Sequence, residues 1–319
     1  ILPQTRRHHR IVSLMGICRI VLAVNKMDLV GYDENVFQEI VIAYRELAEN
    51  SNLLSLQAIP ISAAHGENIA HSSHSMRWYS GPSVLQYLDE VQISGANQFL
   101  ADCNNTPSGI EQSARSPFRM PVQRVCRPDD SYRGFSGRIA AGSIKPGDEV
   151  CILPSGVQTR VRTIDLWKHS LEEASAGASI TLTLEDEVDV SRGDVIAVAE
   201  DSPEAADQFQ AELIWMSENF LIPERLYLLR LHAQEVNAQV TRIHYKEEIE
   251  TGKHLAASRL ELNEIAQVNL STSQPVVFEP YKQSRDLGGF ILIDKLNFAT
   301  VGAGILSFAL RRASNIHWQ

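Results

Sequence analysis

Residues 19–31 read RIVLAVNKMDLVG, and they set the architecture expected of the N-terminal part of the chain. From Ile20 to Val24 the chain is apolar without alternation, then turns polar at Asn25-Lys26-Met27-Asp28. A short unbroken apolar run rich in β-branched residues predicts a strand buried on both faces, hence a parallel sheet. Polar residues at the carboxyl end of such a strand stand where open α/β sheets bind ligands. A carboxylate only accepts hydrogen bonds, so Asp28 can take the ring N–H and the exocyclic NH2 of guanine together. Adenine lacks that donor pair, and a carboxylate left unpaired rejects it. Asn25 can bind the purine edge and tie the loop down, and the aliphatic stem of Lys26 can lie over the base.

A second stretch bears on the same chemistry. Ala58-Ile59-Pro60-Ile61 is another short apolar strand, followed by Ser62-Ala63-Ala64. Between the two strands, Val36, Phe37, Ile40, Val41, Tyr44, Leu47 and Ala48 recur at helical spacing. Asp33 is placed to cap a helix running from Glu34 to Glu49. Strand, helix and strand make a βαβ unit. The Asn-Lys-x-Asp run resembles the guanine-specificity motif of GTPases. Ser62-Ala63 resembles the small-residue segment that, in that class, lets backbone N–H groups approach the guanine carbonyl. The resemblance thus assigns Asn25, Lys26, Met27, Asp28, Ser62, Ala63 and Ala64 to nucleotide binding.

At 319 residues there is room for two or three domains, and the net charge of −10 argues against an extended nucleic-acid surface. Four cysteines, at 18, 103, 126 and 151, include no Cys-x-x-Cys pair. They predict neither a zinc site nor a disulfide framework, and fit a reducing, cytoplasmic setting. The most apolar stretch, Gly288 to Leu310, is broken by Asp294, Lys295 and Asn297 and does not read as a membrane span. The chain opens on Ile1, almost inside an element, and reads as a fragment. A phosphate loop needs Gly-x-x-x-x-Gly-Lys-Ser/Thr. The only Gly-Lys pair, Gly252-Lys253, is followed by His254, and Glu247 stands where the first glycine belongs. Asp286-Leu287-Gly288-Gly289 mimics a switch motif but lies among predicted strands. No catalytic residue and no metal ligand is therefore assigned.

Pro3 to Leu14 reads as a helix, with Arg6, Arg7, His8, His9 and Arg10 forming a solvated face and Gly16 ending it. His65, His71 and His74 fall in a polar loop, and a last helix covers Ser83 to Val91. From Phe118 the pattern becomes short strands separated by Gly/Pro turns, which suggests small closed barrels. The expected fold class is α/β plus all-β: a partial nucleotide domain over residues 1–93, a linker over 94–117, one β-barrel over 118–203, a second over 208–308, and the start of another linker over 309–319.

That order resembles elongation factors of the Tu type, and several stretches narrow the resemblance. Met76-Arg77-Trp78-Tyr79-Ser80-Gly81-Pro82, Tyr132-Arg133-Gly134-Phe135-Ser136-Gly137, Asp189 to Asp194, and Phe290 to Asp294 with Asn297 to Gly304 (NFATVGAG) are similar to the GTPase subunit of bacterial sulfate adenylyltransferases. The tail from Ala309 to Gln319 looks like the junction to a fused adenylyl-sulfate kinase. The resemblance implies a nucleotidyltransferase subunit that hydrolyses GTP to drive formation of adenosine 5′-phosphosulfate from ATP and sulfate. It implies Mg2+ in the full-length protein, a catalytic ATP-sulfurylase subunit as partner, and no nucleic acid or membrane. With only the base-recognition half of the site present, these 319 residues alone are expected to be inactive. The alternatives are a Tu-type elongation factor that binds tRNA, or a truncated binding module.

Overall fold

The computed structural model describes residues 1–91 apart from 50 and 52, and residues 116–310 apart from 130, 131, 168 and 250. Nearly all of the expected linker at 94–117, and the tail beyond residue 310, lie outside the described residues. The chain divides into two units, one holding the N-terminal α/β elements and one holding the β-rich remainder.

In the first unit, Pro3 at the first helical position opens α1 (Pro3–Leu14). The β-branched run forms β1 (Arg19–Val24), and Asp33 caps α2 (Glu34–Ala48) by accepting from the Asn35 N–H. Next come β2 (Ser55–Pro60) and α3 (Val84–Glu90). Ser83 and Gln86 close a capping box at the start of α3. β1 and β2 pair in parallel, Arg19 opposite Ser55 through Val24 opposite Pro60, which is the predicted βαβ unit. β1 is not buried on both faces as expected: only Val24 is buried. Among the described residues this sheet has two strands, so each strand keeps an unpaired edge. The small core joins Val24 and Met27 to Phe37 and Val41 of α2, and to Met76.

The basic run on α1 is not uniformly solvated either. His9 is buried, with Nδ1 at 3.0 Å from the Tyr44 hydroxyl and Nε2 at 3.1 Å from Ser51 Oγ. Burial, with the Arg10 charge beside it, holds its pKa below the ordinary histidine value. Cys18 is disulfide-bonded, against the expectation from cysteine spacing, while Cys126 and Cys151 are free.

The second unit holds two β-structures. The first comprises β3 (Arg119–Pro121), β4 (Arg124–Asp129), β5 (Tyr132–Arg138), β6 (Ser143–Ile144), β7 (Glu149–Leu153), β8 (Val157–Leu166), β9 (His169–Ser170), β10 (Ala174–Ser175), β11 (Ser179–Leu184) and β12 (Val195–Val198). Its main sheet runs β3-β12-β7-β8-β11-β5-β4. Its two ends meet through the Arg119–Ala141 bridge and a bond from Gln123 N to Ser136 O, so the sheet curls around Phe135, Ile152, Val161 and Leu182. The second comprises β13 (Glu204–Trp215), β14 (Leu226–Leu231), β15 (Gln234–Glu247), β16 (His254–Leu255), β17 (Ile265–Phe278), β18 (Gly289–Ile293) and β19 (Thr300–Ala309). Six strands close fully in the order β14-β18-β19-β13-β17-β15 and back to β14. Alternation along β17 sends Ala266, Val268 and Leu270 inward against Leu213, Trp215 and Tyr227. Gly304 is required here: a Cβ on it would sit 2.6 Å from Glu212 O and 2.5 Å from the Phe290 ring.

The strand limits differ from the sequence reading where turn signals misled it. β13 starts at Glu204, in the gap left between the two expected barrels, because its alanines pair with β17. The polar run Ser271 to Gln274 does not break β17, whose pairing with β13 slips between Ala206 and Gln208. The two barrels are joined by a buried apolar contact of Val195 with Val277 and Leu287. They are also joined by Arg119, which is 2% exposed, donates from Nε to Glu279 Oε1 at 2.8 Å and from Nη1 to its neighbour Phe118 O at 3.0 Å, and reaches Asp201 at 3.3 Å.

Candidate guanine-recognition site

The parallel register places the ends of β1 and β2 side by side, so the two sequence motifs leave the sheet at one point. Ile61 N donates to Val24 O at 2.8 Å and Met27 N to Ile61 O at 3.2 Å, carrying the pairing one step beyond the strands. Lys26 then adopts a left-handed backbone (φ +66°), and Met27–Val30 forms a single 3-10 turn closed by Gly31. A left-handed lysine is uncommon, and such conformations concentrate where a loop presents side chains. Met27 points into the core and anchors the turn, so it supports the loop rather than facing a ligand.

The remaining predicted residues come together. Asn25 Oδ1 accepts from Lys26 N at 2.7 Å and from Ala63 N at 3.0 Å, which ties the two motifs to each other. Ser62, fully buried, donates from Oγ to Asp28 Oδ1 at 2.6 Å. That bond is the main reason the Asp28 carboxyl is held below its ordinary pKa, with the His65 and Lys26 charges acting in the same direction against partial desolvation. Asn25, Lys26, Ala63 and Ala64 are exposed. An ionised, oriented acceptor thus stands at an open mouth, which suits a base that offers two adjacent N–H donors.

One contributor was missed from the sequence. His65 Nδ1 lies 3.1 Å from Ser62 Oγ. The serine hydroxyl has one proton, and a carboxylate can only accept it, so His65 Nδ1–H must donate to Ser62. The signal was present as a histidine three residues after Ser62 in a turn, but it has no meaning until the turn is seen. Buried Asn68 fixes that turn by donating to Pro60 O and accepting from Ser73 N. The Met76–Pro82 segment braces the unit from below: Trp78 Nε1 donates to Tyr32 O at 3.0 Å, and the Tyr79 hydroxyl reaches Ala58 O at 3.2 Å.

The two sequence stretches that mimic phosphate and switch motifs both lie in the β-rich unit. Gly252 lies in the turn between β15 and β16, and Asp286 in a helical turn of the second barrel. No cluster of three or more His, Cys, Asp or Glu suits a metal among the described residues.

Comparison with known proteins agrees with this geometry. The family of elongation factor Tu GTP-binding domains matches residues 1–101, and the GTP-eEF1A C-terminal domain-like family matches residues 208–307. The first unit is thus similar to a translation-factor GTP-binding domain, and the second barrel to a translation-factor C-terminal domain. A structure of Sup35 complexed with GDP covers 97% of this chain and 74% of its own, with a TM-score of 0.59 at 24% identity, a likeness of fold. Along its length the chain is similar to sulfate adenylyltransferase subunit 1 and to the bifunctional CysN/CysC and NodQ enzymes. It is 45% identical to the CysN/CysC bifunctional enzyme of Xylella fastidiosa over 100% of the chain and 49% of that protein. It is 43% identical to NodQ of Rhizobium sp. N33 over 100% of the chain and 47% of that protein. With sulfate adenylyltransferase subunit 1 of Saccharophagus degradans it shares 38% identity over 98% of the chain and 63% of that protein. The chain spans about half the length of the bifunctional relatives it matches. Among the described residues, no helix is long and apolar enough to cross a membrane.

Proposed function

We propose that the protein carrying this chain is the GTPase subunit of a sulfate adenylyltransferase, a nucleotidyltransferase of sulfate assimilation. Asp28 reads guanine, Asn25 and Ala63 bind and shape the purine edge, Lys26 covers the base, and Ser62 holds the carboxylate in place. GTP is the nucleotide, and Mg2+ and the phosphate contacts come from parts of the full-length protein other than these residues. Its partner is a catalytic ATP-sulfurylase subunit, its setting is cytoplasmic, and an adenylyl-sulfate kinase follows it in the same polypeptide. Similarity to subunit 1 and to the bifunctional enzymes along nearly the whole of this chain supports this reading.

The chemistry explains why a GTPase is needed. Joining ATP and sulfate makes a phosphate–sulfate anhydride and is strongly uphill. A γ-phosphate that holds switch segments until hydrolysis supplies the drive through linkage. The reading is tested with the full-length protein and the catalytic subunit together, following pyrophosphate release from ATP and sulfate. GTP is expected to raise the yield of adenosine 5′-phosphosulfate with matching GTP hydrolysis, and GDP is not. Equal yields with and without GTP would overturn it.

A further inference from the structure

An open crevice of about 410 Å³ lies at the junction of the two barrels. Gln123, Arg138 and Arg192 line it from the first barrel, and His232 and Asp286 from the second. Buried Val195, Val277 and Leu287 fix the junction that frames it, and Leu287 is the chain neighbour of Asp286. Two stretches of the sequence that take no part in base recognition meet here, Asp189 to Asp194 and Asp286 to Gly289.

The first of these stretches is shaped to present Arg192. Ser191 N donates to Asp194 Oδ2 at 2.8 Å, and Gly193 N to Val122 O at 2.9 Å, so the turn is pinned on both sides of the arginine. Gly193 has a φ of +100°, and a Cβ on it would sit 3.1 Å from Gln234 Cα of the second barrel. A side chain there would be strained in its backbone and would crowd the junction. Arg192 is exposed and donates from Nη1 to Gln123 O at 3.4 Å. Arg138 is exposed too and donates from Nε to Gly177 O at 3.4 Å. Bonds of that length are weak, and each guanidinium keeps donors to spare. Among the described residues, neither arginine has an ion-pair partner, and nor does Asp286.

The acceptors in the crevice decide which anion suits it. His232 Nε2 lies 3.3 Å from Val277 O, which can only accept, so a neutral ring leaves a lone pair on Nδ1. That atom is buried and has no partner among the described residues. A buried acceptor left unmet marks a place where a donor is held. Asp286 adds an exposed carboxylate, which when ionised also only accepts. Two guanidinium groups therefore offer donors to the oxygens of an anion, while a carboxylate and an imidazole lone pair call for a donor on the same ligand. Hydrogen phosphate supplies both, with oxygens that accept and an O–H that donates at neutral pH. Sulfate has the same shape and no O–H, so one of its oxygens would meet the carboxylate with no proton between them, a repulsion that selects against it. The charges agree: two guanidinium groups and one carboxylate leave the crevice positive.

We propose that this crevice is a phosphate site, in which Arg138 and Arg192 bind the oxygens, Asp286 accepts the O–H, and sulfate is rejected. Free phosphate and the phosphate of a monoester share this chemistry. The site does not rest on the reading of the protein as a GTPase. It is tested by calorimetric titration of the full-length protein, kept saturated with GDP so that a guanine-nucleotide site is already filled. Inorganic phosphate is expected to bind in a step that Arg138→Gln with Arg192→Gln weakens about 30-fold or more. In wild type, sulfate at matched ionic strength is expected to bind about 10-fold or more weakly than phosphate. Asp286→Asn replaces one acceptor with a donor and is expected to bring the two anions within about 3-fold of each other. Because Asp286 is exposed, that variant keeps the test open if the arginine variant folds poorly. Glycerol phosphate bound as tightly as inorganic phosphate would assign the site to a monoester, and its rejection would assign it to the free ion. Wild type that binds no phosphate, or phosphate binding that the folded arginine variant retains in full, would overturn the site. Equal affinity of wild type for sulfate, or a preference for phosphate that Asp286→Asn leaves intact, would overturn it as well.

Discussion

Ser62 and Asp28, 34 residues apart, are bonded at 2.6 Å at the mouth of the parallel strand pair, with the serine as donor. The bond fixes which carboxylate oxygen is occupied inside the protein and so which faces outward. Because His65 must donate to the same hydroxyl, the three side chains form a directed series that ends on the carboxylate.

Removing the middle member tests that series. Ser62→Ala in the full-length protein is expected to weaken GDP binding about 10-fold, the scale of one hydrogen bond to a charged group. His65→Ala acts one bond further out and is expected to cost about 3-fold. Fluorescent-nucleotide titration measures both. Equal affinities for wild type and Ser62→Ala would show that the bond does not orient the acceptor.

Asp28 itself determines which base is accepted. Asparagine keeps the shape but replaces one acceptor with a donor. Asp28→Asn is therefore expected to lower guanine-nucleotide affinity about 100-fold or more and to raise affinity for xanthine nucleotides, whose C2 oxygen accepts where guanine's amino group donates. Competition titrations with the two nucleotides read the exchange. Unchanged preference for guanine would place base recognition elsewhere.

Arg119 offers a test of how the barrels are held together. It is nearly fully buried between Phe118, Glu279 and Asp201. Arg119→Met leaves Glu279 with little access to water and no cation, and breaking such a pair costs about 3 kcal/mol or more. Urea unfolding is expected to show that loss, with the barrels separating into two transitions as their junction weakens. A loss below about 1 kcal/mol would mean that water replaces the arginine.

The base-recognition motifs were legible because strand, helix and strand are written in local periodicity, and the two motifs come directly after the strands. Where β1 stands in its sheet was not, since an apolar run looks the same at an edge as in the centre. His9 was hidden because a basic run looks solvated until Tyr44 and Ser51, more than 30 residues away, supply its partners. The start of β13 was hidden because Glu204 to Asp207 carries no strand signal of its own, and its ladder is imposed by Val276 to Phe278. Arg119 and Glu279 are 160 residues apart, and no spacing rule connects them.

His232 gives the junction a dependence on pH. It occupies a left-handed position (φ +44°) in the turn between β14 and β15, with Nε2 donating to Val277 O at 3.3 Å. Its buried Nδ1 has no partner, and burial pushes the pKa down to about 4. In the unfolded chain the same group titrates near about 6.5. Above that pH both states hold the neutral ring, and the full stability is present. As pH falls through about 6.5 the unfolded chain takes up a proton that the folded protein refuses, so stability declines until the folded group also titrates near 4. Across that window the loss amounts to about 3 kcal/mol. His232→Asn keeps a residue that tolerates the backbone and removes the titration. The difference in unfolding free energy between wild type and this variant is expected to change by that amount from pH 7 to pH 4, and a constant difference would show that protonation of His232 does not oppose the fold.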